Sequence, residues 1–116
     1  MQRILLVEDD AELRLLLEHV LFDGGYEVDV ADSVDSACAF LDGSAYDLVL
    51  ADGRLEDGTG MMVADRAVAA GAKALIITGY AFELPRDQLT RHEFLLKPVR
   101  PNELLDAVAR MLRTPA

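Results

Sequence analysis

The sequence predicts an α/β fold, a single doubly wound, five-stranded parallel sheet with helices on both faces. Three observations carry that expectation. Short continuous apolar runs alternate with helical amphipathic patterns from one end of the chain to the other. Those runs are apolar without a polar face, as strands buried on both sides require. The chain has 116 residues, one domain's worth, and no linker, internal repeat or low-complexity stretch remains for a second. Residues 1–116 are therefore expected to form one domain.

The elements follow in order. Ile4-Leu5-Leu6-Val7 reads as the first buried strand. Leu13, Leu16, Leu17, Val20 and Leu21 recur at i, i+3, i+4, i+7 and i+8, one face of a helix. Asp10 suits its N-cap, and Gly24-Gly25 its end. Tyr26 to Ala31 alternates through Val28 and Val30 as a second strand. Val34, Ala37, Cys38 and Leu41 form the next helical face, closed by Asp42-Gly43. Leu48-Val49-Leu50-Ala51 is a third buried strand, followed by a polar, glycine-bearing loop from Asp52 to Gly60.

Met61 to Ala70 reads as a helix ended by Gly71, and Ala74-Leu75-Ile76-Ile77 as a fourth strand. Ala81 to Glu93 holds Pro85 and a weak helical pattern, which predicts one short or irregular helix. Phe94-Leu95-Leu96 is the fifth strand. Leu104, Leu105, Val108, Met111 and Leu112 then define a final amphipathic helix, with Pro101 near its first turn. Right-handed crossovers leave few topologies for five such strands, and the flavodoxin-like order 2-1-3-4-5 is the expected one.

Hydrophobic residues make up 52% of the chain and charged residues 28%, a composition that builds a core. Eleven Lys and Arg against 21 Asp and Glu give a net charge of −10. Such a surface repels phosphate backbones and anionic lipid, so neither nucleic acid nor membrane is an expected partner. The single cysteine, Cys38, excludes an intrachain disulfide and has no zinc-ligand spacing; it reads as a small buried hydrophobe. The first apolar run is too short for a signal peptide or a membrane span, and a cytoplasmic location is expected.

In an open α/β sheet, sites form beyond the carboxyl ends of the strands, near the point where strand order reverses. For this order that point lies between the first and third strands. Glu8, Asp9 and Asp10 follow one, and Asp52 follows the other. Thr78 and Lys97 follow the fourth and fifth. Clustered carboxylates repel one another unless a cation sits among them, and hard oxygen ligands suit Mg2+. A carboxylate beside such an ion can attack a phosphoryl group, whose oxygens a Lys ammonium and a Thr hydroxyl can hold.

These residues sit in motifs that resemble the receiver domain of bacterial two-component response regulators. The motifs are Val7-Glu8-Asp9-Asp10, Asp47-Leu48-Val49-Leu50-Ala51-Asp52, Leu55-Glu56-Asp57-Gly58-Thr59-Gly60, Ile77-Thr78-Gly79 and Phe94-Leu95-Leu96-Lys97-Pro98. They run in family order over nearly the whole chain. The resemblance implies a stand-alone, chemotaxis-regulator-like switch rather than an enzyme, catalysing only its own phosphorylation and dephosphorylation. Asp52 would accept a phosphoryl group from the phosphohistidine of a sensor histidine kinase or a histidine phosphotransfer protein. Mg2+ would be held by Glu8, Asp9, Asp52 and the backbone carbonyl of Arg54.

The resemblance also implies that Thr78, followed by Gly79, swings toward the phosphoryl group and that Lys97 pairs with its charge. Phe94 would move inward with Thr78, although a plain core aromatic is the competing reading. Arg54 and Tyr80 would modulate the attack of water on the acyl phosphate. The Lys97–Pro98 peptide bond would be cis. Output would go to a downstream protein target, and dimerisation through the last elements, frequent in the family, is left open.

Two departures stand out. Glu56 replaces the usual proline, which predicts a more mobile loop, and the segment from Thr78 to Phe94 is short, which puts the usual output face in question. Two other functions compete. One is a pseudo-receiver that binds without taking phosphate. The other is a small Mg2+-dependent phosphohydrolase, disfavoured because Glu8-Asp9-Asp10 is not the Asp-x-Asp motif such enzymes carry on the first strand.

Overall fold

Parallel pairing organises the chain around strands β1 (Arg3–Val7), β2 (Glu27–Ala31), β3 (Leu48–Asp52), β4 (Lys73–Thr78) and β5 (Glu93–Leu96). The computed structural model describes residues 1–79 and 92–113. The sheet order is β2-β1-β3-β4-β5, the expected doubly wound topology. Helices α1 (Ala11–Asp23), α2 (Val34–Gly43), α3 (Gly60–Ala69) and α4 (Pro101–Arg113) cover it. The expected irregular helix, with Pro85, lies outside the described residues up to position 91. Glu93, at the end of that stretch, begins β5.

Alternation along the strands divides the core between two faces. Leu5 and Val7 join Val49 and Ala51 against Ala37, Leu41, Val63 and Ala67 of α2 and α3. Ile4 and Leu6 join Leu48, Leu50 and Leu75 against Leu17, Leu21, Leu104 and Val108 of α1 and α4. Every residue of β3 is buried, which is why that strand reads as unbroken apolar sequence up to Asp52. Truncating one of these leucines to alanine should cost about 2–5 kcal/mol.

Local signals set the element ends. The Asp10 carboxylate accepts the Leu13 N–H at 3.0 Å and caps α1. Ser33 and Ser36 form a reciprocal capping box at the start of α2. Gly25 and Gly71 leave α1 and α3 at φ 94° and 91°, a conformation that favours glycine.

Three details differ from the sequence-based expectation. Leu16 is 56% exposed, because α1 turns Leu17 and Leu21 to the sheet and leaves Leu16 on its flank. Cys38 is half-buried rather than enclosed. The loop after β3 holds a two-residue antiparallel ribbon, Arg54–Leu55 with Gly58–Thr59. Its Asp57 carboxylate accepts the N–H groups of Val34 and Asp35 and ties the loop to the start of α2.

Candidate functional site

The carboxyl ends of β1, β3, β4 and β5 meet on one rim. Glu8 follows β1, and its N–H donates to the Ala31 carbonyl at 3.0 Å. Asp52 ends β3, paired in register with Ile77. Thr78 ends β4, and its carbonyl accepts the Lys97 N–H at 3.0 Å. The sheet therefore spaces the side chains. The parallel register brings strand ends distant in sequence to one rim, where a side-chain hydrogen bond joins Lys97 to Glu8, 89 positions away.

Carboxylate oxygens of Glu8, Asp9 and Asp52 all lie within 4.8 Å of one another. Glu8 is 2% exposed and Asp52 is 7% exposed, so two of the three are deprived of water. Lys97 Nζ lies 3.2 Å from Glu8 Oε1 and 3.2 Å from Asp52 Oδ1. The contact to Glu8 is a hydrogen bond, and the contact to Asp52 is an ion pair only. Asp52 Oδ1 is buried and accepts no hydrogen bond.

The electrostatics record the crowding. Burial pushes the Glu8 carboxyl up to about 7, assisted by the neighbouring Asp52 carboxyl; the Asp10 N–H and the Lys97 ammonium oppose the rise. Burial works against the Lys97 ammonium, but the charges of Asp52 and Glu8 outweigh it and leave Lys97 above its ordinary value. One lysine cannot offset three carboxylates. A buried oxygen that accepts no hydrogen bond and an excess of negative charge in an all-oxygen donor set fit a hard divalent cation.

Other predicted residues surround this centre. Thr78 is fully buried. Phe94 is half-buried and packs on Met61, Ala64, Ala74 and Ile76 beneath α3, where a core aromatic would also sit. The Lys97–Pro98 peptide bond is cis. Arg54 lies on the exposed side of the ribbon, and Gly79 follows Thr78 with Lys97 Cβ close by. Tyr80 lies outside the described residues.

Sequence reasoning missed several supports. Arg14 of α1 donates to the Glu8 carbonyl at 2.9 Å and fixes the turn that carries the acidic pair. Gly60 brings α3 so near that a Cβ there would run into the Asp52 carbonyl. Gly58 and Gly60 in the loop were visible as a signal of close approach, whereas Arg14 left none.

The family model for the response regulator receiver domain matches residues 4–109. The chain belongs to the response regulator receiver family. This receiver is 32% identical over 121 residues to the response regulator receiver protein CpdR of Brucella abortus, covering 97% of this chain and 98% of that one. It is 34% identical over 115 residues to the response regulator protein FleR of Pseudomonas aeruginosa, covering 93% of this chain but 24% of that protein. The receiver thus spans a quarter to a half of several relatives it matches.

The response regulator TrrA of Thermotoga maritima, solved in complex with Mg(2+)-BeF, superposes with a TM-score of 0.85 at 30% identity, covering 96% and 99% of the two chains. Receivers of this family are phosphorylation-driven signalling switches. Among the described residues, no helix is long and apolar enough to cross a membrane.

Proposed function

We propose that this receiver takes a phosphoryl group onto Asp52 from a phosphohistidine of a sensor histidine kinase or histidine phosphotransfer protein, with residues 1–116 acting as one signalling unit. The observation that carries this reading is the buried Asp52 Oδ1, which accepts no hydrogen bond and lies among Glu8, Asp9 and Lys97. An Asp52 oxygen attacks phosphorus, the phosphorus–nitrogen bond breaks, and the imidazole keeps its electron pair. The product is an acyl phosphate on Asp52.

Glu8, Asp9, Asp52 and the Arg54 carbonyl would hold Mg2+, which when bound offsets charge on the phosphoryl oxygens. The presence of Mg(2+)-BeF on TrrA supports that assignment. Thr78 donates its hydroxyl to one phosphoryl oxygen, and Lys97 turns its ammonium from Glu8 to another. Gly79 leaves the end of β4 uncrowded, and Phe94 follows Thr78 inward. Arg54 and Tyr80 modulate the attack of water on phosphorus that restores the carboxylate and releases phosphate. The output is a contact with a downstream protein, in the cytoplasm.

Incubation with Mg2+ and acetyl phosphate, read by intact mass, tests the reading. One added phosphoryl group, absent in Asp52→Asn, is expected. No addition would favour a binding module that works without phosphorylation, and turnover of a generic phosphate ester would favour a hydrolase.

A further inference from the structure

Gly53 directly follows the proposed acceptor, and its backbone does not explain why it is glycine. Among the described residues the positive-φ glycines are Gly25 and Gly71, so residue 53 has a conformation open to any side chain. Its requirement is spatial. A Cβ on residue 53 would lie 2.5 Å from Thr78 Oγ1 and 2.6 Å from Thr78 Cβ. Thr78 thus occupies the volume that a side chain at 53 would need.

Backbone hydrogen bonds hold both residues in this arrangement. The Gly53 N–H donates to the Ile77 carbonyl at 3.0 Å, and the Gly53 carbonyl accepts the Gly60 N–H at 3.2 Å. The Thr78 carbonyl accepts the Lys97 N–H at 3.0 Å, and Thr78 is fully buried. Rotation about χ1 would move Oγ1 but not Cβ. Any side chain at 53 therefore forces the ends of β3 and β4 apart by about 1 Å.

We propose that Gly53 is a positioning residue of the phosphoryl switch, its missing side chain being the seat from which the Thr78 hydroxyl reaches the group on Asp52. The inference rests on the function proposed above and adds the element that sets the Asp52 to Thr78 spacing. Gly53 touches no phosphoryl oxygen. It acts through Thr78 alone.

The test is a double-mutant cycle of Gly53→Ala with Thr78→Gly, which removes both the Cβ and the hydroxyl that a side chain at 53 would meet, reading phosphorylation of the full chain by acetyl phosphate and Mg2+. Gly53→Ala should slow phosphorylation by about tenfold to a hundredfold, because a misplacement of about 1 Å can cost up to about 10²-fold. In the Thr78→Gly background, where that volume is free, the same substitution should change the rate by less than about twofold. Equal losses in both backgrounds, or no loss in either, overturn the inference.

A wild-type chain that takes no phosphoryl group overturns the proposed function and the inference together. Uptake by the wild type alongside an unaffected Gly53→Ala overturns the inference alone. Should Gly53→Ala fail to fold, the pair Gly53→Ala/Thr78→Gly decides by thermal melting. Shared volume requires that this pair melt within a few degrees of Thr78→Gly alone, and a pair that stays unfolded overturns the claim.

Discussion

The Asp57 carboxylate accepts the Val34 N–H at 2.8 Å, tying the loop that follows the acceptor strand to the first turn of α2. Its second oxygen takes the Asp35 N–H at 3.0 Å. A helix N-terminus favours negative charge, and these backbone N–H groups hold the Asp57 carboxyl below its ordinary value. A carboxylate whose folded value is depressed contributes stability above its unfolded value, near pH 4, and loses it as pH falls through the folded one. Asp57→Asn should therefore lower the melting temperature at pH 7 and lower it less at a pH well below 4. Equal losses at both pH values would show that the contact does not depend on charge.

This anchor also marks what the sequence could and could not disclose. The five strands were legible because burial on both faces writes itself as runs such as Leu48-Val49-Leu50-Ala51. The acidic rim was legible because doubly wound topology sends every strand end to one side, so Glu8, Asp52, Thr78 and Lys97 had to meet. The ribbon at Arg54–Leu55 was not, since two residues show no periodicity. The reach of Asp57 to α2, the Thr78 volume over Gly53 and the exposure of Leu16 depend on how elements dock. Local pattern holds no record of those.

Tyr46 and Asp29 form a second charge-dependent contact, at the opposite end of the sheet. The Tyr46 hydroxyl donates to Asp29 Oδ2 at 2.6 Å, and the Arg3 guanidinium lies 4.9 Å from the ring centre. Burial and then the Asp29 carboxylate push Tyr46 up to about 12. A raised folded value means that the stabilisation is present below the unfolded value, near pH 10, and fades as pH rises through 12. Tyr46→Phe should cost about 1–2 kcal/mol in urea unfolding at pH 8. It should also flatten the alkaline loss of stability relative to the wild type.

Lys97 is the cation that the acidic rim keeps when no metal is present. Its side chain is 27% exposed, so removing it leaves Glu8 and Asp52 facing each other in a partly dry site. Lys97→Ala should lower stability in chelator by less than the roughly 3–5 kcal/mol typical of a fully buried broken pair. Addition of Mg2+ should raise its melting temperature more than that of the wild type, because the ion then relieves a larger repulsion. A smaller shift than in the wild type would place the ion away from these carboxylates.

Asp52→Asn tests whether the site stores unfavourable charge for function. Three carboxylates within 4.8 Å face one ammonium, and Asp52 Oδ1 gains no hydrogen bond in return for its burial. Asparagine keeps the shape and removes one negative charge. The variant should be about 0.5–2 kcal/mol more stable than the wild type in chelator, the usual gain from neutralising a functional group that folding disfavours. The advantage should shrink or reverse in Mg2+, since the wild type keeps the ligand that the variant has lost. Denaturant unfolding with and without the ion reads both. A variant less stable in chelator would mean that the Lys97 pair outweighs the repulsion, and the site would then be a structural ion pair first and a nucleophile second.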